Sequence, residues 1–517
     1  MPSAVTDNSK TKLPEDTETL HQMIYQLMED VTDLRRQLSY YKRHTFGSKS
    51  ERIDPAQLQL FEDQLNKKET AIEKLKAYQA KQAEAKPSKR NGRRPLPEDL
   101  PKERIEHHPD KEELHCNCCG GEKTPMGEKV TQQLDYVPAS FVIREHVRIK
   151  YACRKCQGKV SIADLPAMPI NKGRPGYGLL AHVLVSKYQD HLPLYRQEGI
   201  FDRHGIDINR STLCDWIKEC SWLLSPVVDQ LKKEILSSDK IHTDDTKVPV
   251  KVKGRKTTKS GYLWVYLGDN KNAVYDYTPD RSREGPVRFL KDFKGYLQAD
   301  AYSGYNKVFE KGDVTEVACW AHARRKFFDS LETDPLRANI MLELIGRLYK
   351  IEKQIREEKL DTSSIEKLRK KESNPILKKI DNYLKQWSDE VLPKSPIGKA
   401  VGYARGQWEA LNCYTTNGRL DIDNNASERA LKSVVIGRKN WMFAGSDKGG
   451  EMAAVIYSLV QSCKLIGIDA FKYLRDVLER VNTHPASRIE ELTPRRWKEL
   501  FLPEIEKADS AAPQLQS

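Results

Sequence analysis

Lys240-Ile241-His242-Thr243-Asp244-Asp245-Thr246-Lys247-Val248-Pro249-Val250-Lys251 is the stretch on which the fold turns. Ile241, Thr243, Thr246, Val248 and Val250 are β-branched and glycine is absent, so it reads as a strand. Gly261–Gly268 and Ala273–Thr278 read as two more. Arg283–Phe293 then shows helical spacing, Tyr296–Ala301 and Val314–Ala318 return to strand patterning, and a helix runs from Trp320 to about Ser330. Charged helical sequence without strand signals fills 334–392 and interrupts the sheet domain as an insertion. Helical patterns resume at 396–413, 424–435, 449–464 and 469–481. Three hairpin strands followed by helix–strand alternation give a mixed α and β class.

That order is the one expected of a ribonuclease-H-like core. The acids it carries sit where metal-assisted phosphoryl transfer would want them. Such chemistry needs carboxylates from different elements around two divalent ions about 4 Å apart, with hard oxygen ligands suiting Mg²⁺. Asp244 and Asp245 are neighbours on a strand, so they face opposite ways and only one turns readily to a shared site. Asp300 ends an apolar strand, and Asp423-Asn424-Asn425-Ala426-Ser427-Glu428-Arg429 opens a helix that Asp423 or Asn424 can cap, with Glu428 on its first turns. Taken singly, each acid is more often a solvated surface charge.

Outward from this core lie several smaller modules. Residues 1–15 are polar and expected to be disordered. Within 16–85, Leu20, Leu27, Leu34 and Tyr41 repeat every seven residues with Ile24, Val31 and Leu38 between them. This is a zipper seam, or a helix packed on the protein's own core. Residues 86–101 form a basic linker that could also track phosphates. In 102–168, Cys116-Asn117-Cys118-Cys119 is answered by Cys153-Arg154-Lys155-Cys156 across strand-like stretches at Gln133–Val137 and Phe141–Tyr151. The pattern suits a zinc ribbon with Cys116, Cys119, Cys153 and Cys156 as ligands, Cys118 or His115 being alternatives in the first pair. Four thiolates leave no open position, so the zinc is structural. In 169–235 a helix, a turn at His204-Gly205 and a second helix beginning near Asn209 read as a helix-turn-helix, or as a plain helical hairpin. Arg210, Ser211 and Thr212 would meet DNA in the first case. The core spans 236–446, a helical module 447–502, and a tail 503–517.

The chain has 517 residues, 87 Lys and Arg against 74 Asp and Glu, and a formal net charge of +13. The balance favours a polyanionic partner, nucleic acid before membrane. No apolar run has membrane-spanning length and the first residues lack a secretory h-region, so a cytoplasmic location beside the nucleoid is expected. Of the ten cysteines, the paired ones point to metal. Cys214, Cys220, Cys319, Cys413 and Cys463 are expected as buried small hydrophobes.

Several longer stretches resemble the insertion sequence 66 family of transposases. They are Asp244-Asp245-Thr246, Gln298-Ala299-Asp300-Ala301-Tyr302, Cys319-Trp320-Ala321-His322-Ala323-Arg324-Arg325-Lys326-Phe327, Asp423 through Leu431, and Gly437-Arg438-Lys439-Asn440-Trp441-Met442-Phe443-Ala444-Gly445-Ser446. The resemblance runs over nearly the whole chain. It implies a DDE catalytic triad at Asp244, Asp300 and Glu428 holding two Mg²⁺, with Mn²⁺ as an alternative. Asp245 stands where the family commonly has Glu and is the less favoured ligand. Asn117 stands where the family usually has Pro after the first Cys. The resemblance further implies binding of terminal inverted repeats and target DNA, strand cleavage and strand transfer, a homodimer or larger homo-oligomer, and helper proteins from the same element. His322, Arg324 and Arg325 would contact the scissile DNA, Arg438 and Lys439 the phosphate backbone, and Trp441 a splayed base or the core. A Cys319/His322 metal site is a poorer reading, since no partner pair is evident. The competing reading is a DNA-binding regulator whose nuclease fold is inactive.

Overall fold

The computed structural model describes residues 140–151, 161–164, 168–170, 175–269, 271–310 and 312–511, with Arg104, Cys118 and Gly173. The zipper positions and Cys116, Cys119, Cys153 and Cys156 lie outside the described residues. The chain divides into two compact units, Ser50–Leu165 and the remainder. In the first, among the described residues, Lys150–Tyr151 pairs antiparallel with Ser161–Ile162, and the strand expected at Gln133–Val137 lies outside the described residues. The strand expected over Phe141–Tyr151 is thus confined to its last two residues. Side chains along 141–149 remain exposed, so nothing rewards a longer ladder there.

The second unit is built around a five-stranded sheet. Its strands are β1 (Lys240–Lys251), β2 (Thr258–Gly268), β3 (Asn272–Thr278), β4 (Gly295–Gln298) and β5 (Val314–Val317), in the order β3-β2-β1-β4-β5. The first three pair antiparallel, whereas β4 runs parallel to both β1 and β5. β1 is therefore central. His242 stands opposite Leu267 on one side and Gln298 on the other, and Asp244 opposite Val265. β4 ends at Gln298, earlier than the sequence pattern suggests, and just past Asp300 the chain leaves strand geometry in a left-handed turn at Ala301, φ 63°.

Helices cover this sheet. α1 (Tyr177–Tyr188) and α2 (Leu194–Arg203) lead into α3 (Arg210–Leu236), which is capped by the Asn209 side chain accepting from the Thr212 amide at 3.0 Å. Leu213, Ile217, Cys220, Leu224, Val227, Leu231 and Ile235 recur at helical spacing and are buried. Cys214 falls between these positions and is exposed, correcting its expected burial, and Cys413 is only half-buried. α4 (Glu284–Phe289) is shorter than expected, and Phe289 stacks on Tyr266 at 3.6 Å. After it come α5 (Asn306–Phe309) and α6 (Trp320–Asp329).

Helices α7 (Pro335–Glu358), α8 (Thr362–Leu368) and α9 (Asn374–Glu390) occupy the interval expected to be helical, with a π-helical turn at Arg369–Ser373. With α10 (Pro396–Gly406) and α11 (Trp408–Asn412) they close a second apolar core around Val317, Trp320, Phe327, Leu348, Leu384 and Leu411. α12 (Asn425–Trp441) returns to β1. α13 (Asp447–Leu465) lies along β3, its Ser458 and Ser462 hydroxyls accepting from the Tyr275 and Ala273 amides. α14 (Ala470–Arg480) and α15 (Pro494–Leu500) follow, and α16 (Leu502–Ala511) is helical where a loose tail was expected. Among the described residues no helix is long and apolar enough to cross a membrane.

Candidate active site

Asp244 lies near the middle of β1, Asp300 two residues past β4, and Glu428 on the first turn of α12. Burial pushes the Asp244 carboxyl up to about 8, and nearby Asp300 adds to it. A 2.7 Å hydrogen bond from the Asp245 amide works the other way, while Asp245 and Glu428 add further upward pushes. The three acids thus share one electrostatic environment although they come from separate elements. They do not yet surround a single point. Among the described residues no three His, Cys, Asp or Glu side chains stand at common metal-ligating range.

Asp245 has other work. Its carboxylate accepts from Arg281 Nε and Nη2 at 2.9 and 2.7 Å, and Arg281 also stands 3.9 Å from Asp300. Burial raises the Asp245 carboxyl, and Arg281 offsets part of that rise. Arg281 packs over the Tyr302 ring at 4.3 Å. One guanidinium thus orients Asp245 and borders Asp300, which fits Asp245 as a structural acid.

Glu428 is placed by a buried polar cluster. Asn424 is the first flanking residue of α12, yet its side chain makes no cap. It donates instead to the Thr243 carbonyl at 2.8 Å, and its oxygen lies 3.0 Å from His242 Nδ1. The cap falls to Asp423, which accepts from the Asn425 amide at 3.1 Å. His242 Nε2 lies 2.9 Å from Asp421 Oδ2, Lys240 Nζ donates to the same oxygen at 2.6 Å, and Gln298 donates to the Asp421 carbonyl at 2.6 Å. Burial raises the Asp421 carboxyl, but the His242 hydrogen bond and the Lys240 charge outweigh it and hold the group far below the usual range. The loop before α12 is thereby tied to β1 and β4 one residue from Asp244. Sequence reading missed His242, Lys240, Gln298, Asp421 and Arg281. The available signal was polar residues at inward positions of apolar strands, with His242 on the same face as Asp244.

Asn424→Ala removes the bond to Thr243 and leaves its carbonyl buried without that donor. We expect a roughly 10- to 100-fold loss of DNA cleavage, the scale seen when a supporting partner of a functional group is removed. Circular dichroism should show the fold retained, and an unchanged cleavage rate would remove Asn424 from the positioning role.

Other expected site residues are distributed as follows. His322 Nε2 is 4.0 Å from Glu428 Oε1, so α6 brings it to the third acid. Arg324 and Arg325 share that helix, with Arg325 exposed. Cys319 is fully buried, accepts from the Asn424 amide at 3.2 Å, and burial pushes its thiol up to about 12. That geometry leaves it no part in a Cys319/His322 metal site. Arg438 donates to Thr246 Oγ1 at 2.9 Å and to the Lys247 carbonyl, which fastens α12 to β1. Lys439 is exposed, and Trp441 packs partly buried against the core. Arg210 and Ser211 are exposed at the start of α3, and Thr212 lies under the Asn209 cap.

Comparison with known proteins gives the family. The family model described as "Transposase IS66 family" matches residues 172–452, and the "zinc-finger binding domain of transposase IS66" matches 113–157. "Transposase C of IS166 homeodomain" matches 33–105, and the "IS66 C-terminal element" matches 458–495. Among similar chains, the uncharacterized protein y4jD of Sinorhizobium fredii is 34% identical over 509 residues, covering 94% of this chain and 97% of its own. The uncharacterized proteins y4hP and y4qI of the same bacterium are 34% and 32% identical, over 79% and 91% of this chain and 78% and 90% of theirs. The chain belongs to the IS66 family of transposases, with DNA-binding and zinc-finger domains of that family along its length.

Proposed function

We propose that the protein is a DDE transposase with a ribonuclease-H-like core, in which Asp244, Asp300 and Glu428 hold two divalent ions, Mg²⁺ or Mn²⁺. The observation that carries this is the Asp244 carboxyl, held near 8 by burial and by the surrounding Asp300, Asp245 and Glu428 carboxylates. Crowded acids at the end of a sheet are costly without a cation, and their oxygens are the hard donors such ions take. When bound, the ions would activate the attacking oxygen and stabilise the leaving one.

The chain's own residues supply position. The Asn424–His242–Asp421 cluster fixes the helix of Glu428, Arg281 fixes Asp245, and His322, Arg324 and Arg325 offer positive or hydrogen-bonding groups to the DNA beside Glu428. Water adds to the phosphorus at the end of the terminal inverted repeat while the bond to the 3′ oxygen breaks. This leaves a 3′-hydroxyl and a 5′-phosphate. That hydroxyl then attacks a target phosphodiester, losing its proton as one new bond forms and one target bond breaks. No oxidant or nucleotide is consumed.

Around this core, Cys116, Cys119, Cys153 and Cys156 hold a structural zinc, and the start of α3 with Arg210, Ser211 and Thr212 serves as a helix-turn-helix. The 16–85 segment joins copies into a dimer or larger assembly, helper proteins of the element assist, and the protein works in the cytoplasm on the nucleoid. The test is strand transfer. Purified protein with Mg²⁺, the element's ends and a target plasmid should give joined products that a Glu428→Ala variant lacks. Binding of the ends by the parent without cutting or joining would favour the inactive regulator or a missing helper. Equal activity of parent and variant would sink the third acid.

A further inference from the structure

An unusual backbone conformation lies fourteen residues beyond Glu428. Met442 has φ 65° and ψ −46°, and the Phe443 amide donates to the Trp441 carbonyl at 2.8 Å. This is a γ-turn of the rare positive-φ kind, a strained conformation that persists only where its surroundings enforce it. The surroundings do so here. The Met442 amide donates to Arg438 at 2.8 Å and the Ala444 amide to Pro249 at 2.8 Å. Lys251 donates back to the Ala444 carbonyl at 2.9 Å, and Arg438 holds Thr246 and Lys247.

The strained turn has an apolar product. Trp441 folds inward over Gly437, where a β-carbon would lie 2.8 Å from its Nε1, while Met442 and Phe443 are 68% and 43% exposed. The turn therefore directs the partly buried tryptophan inward and displays the two residues beside it. They end an exposed stripe on α12 formed by Arg429, Lys432, Ile436 and Lys439, spaced three and four residues apart on one face. Lys247 is exposed on the strand to which the turn is fastened. A basic track that starts at a nuclease acid and ends in two displayed apolar side chains is complementary to DNA. It suits a bent or opened duplex, into which apolar side chains wedge between base steps.

We propose that Met442 and Phe443 form a wedge that unstacks a base step of the bound DNA end, the α12 stripe gripping the phosphates between that step and Glu428. The inference rests on the transposase reading. At ~1.5 Å per helical residue the wedge stands about 20 Å from Glu428, or about six base steps at ~3.4 Å each.

The test separates the wedge from that reading. Full-length protein carrying Glu428→Ala is mixed with a terminal-repeat duplex bearing 2-aminopurine, moved in turn through roughly the first ten positions from the cleavage point. Fluorescence should rise at about the fifth to seventh positions, and Met442→Gly combined with Phe443→Ser should cut that rise by about 5-fold or more. Met442→Gly alone relieves the positive φ, so its melting temperature should hold or increase even as the signal falls. Phe443→Tyr should keep the signal. A bound duplex with no fluorescence rise, or a rise that the double variant preserves, overturns the wedge and leaves the transposase reading standing. So does a change in self-association of the DNA-free variants, which would assign the surface to a second copy of the chain. Failure to bind the duplex at all overturns both.

Discussion

Asp244→Asn should abolish strand cleavage and transfer, with a loss of at least about 10³-fold, and should at the same time make the metal-free protein less sensitive to pH. The first effect follows from removing an oxygen of the proposed metal site. The second follows from proton linkage. An ordinary aspartate ionises near 3.8, whereas Asp244 in the folded chain ionises near 8. Between those values the folded state holds more proton than the unfolded state. The contribution of this group is therefore greatest at the acid end and is lost as the pH rises toward 8, by up to about 1.4 kcal/mol per pH unit. Asparagine carries no such term. The difference in melting temperature between variant and parent should grow in the variant's favour from about pH 5 to about pH 8. Divalent ions must displace the same proton, so their affinity for the parent should climb across that window with release of about one proton. Parallel melting curves at all pH values would show that Asp244 ionises normally. Cleavage by the variant at the parent's rate would remove Asp244 from the site.

Arg369→Met should be the most destabilising single change in the helical insertion. Arg369 is 2% exposed and lies in the π-helical turn. It donates to both oxygens of Glu352 at 2.8 and 2.7 Å, and to the carbonyls of Tyr414, Asn417 and Leu420 at 2.7, 3.2 and 3.0 Å. Methionine fills much of the volume but strands a buried carboxylate and takes the donor from three carbonyls. Breaking one side of a buried pair costs about 3–5 kcal/mol, or about 4–7 °C in melting temperature for a unit of this size. Arg369→Lys should fall between parent and methionine, since a single ammonium cannot reproduce the fork. A melting temperature within about 2 °C of the parent would show that the pair is solvated in solution. The loop that Arg369 holds runs directly into Asp421 and Asn424, so the loss should also slow cleavage in protein that is still folded.

Local patterning reached a good part of this architecture. The strands at 240–251, 261–268 and 273–278 and the buried stripe of α3 follow from periods of two and of 3.6 residues. What escaped was set by tertiary contact. β4 stops at Gln298 as the chain nears the left-handed turn at Ala301, and Cys214 is exposed because α3 turns Leu213 and Ile217 to the core and Cys214 away from it. Asp244, Asp300 and Glu428 stood out through motif resemblance, and spacing alone could not bring them together. The groups that tie Glu428 to β1 were invisible for the same reason: a histidine, a lysine and a glutamine in strands look like interruptions until their partners from the 421–424 loop are beside them.

The Asn424–Thr243 bond joins residues 181 positions apart, and the His242–Asn424 contact joins residues 182 apart. Closing so long a loop is entropically costly and kinetically late, because most of the intervening chain must be ordered before the ends meet with any frequency. During synthesis, β1 with Asp244 and β4 with Asp300 are complete long before α12 exists. A nascent or truncated chain can therefore present two of its acids and the outer helices without the third. On the proposed function, nuclease competence would arrive late, which would delay any risk to the host chromosome until the sheet and the insertion have already docked.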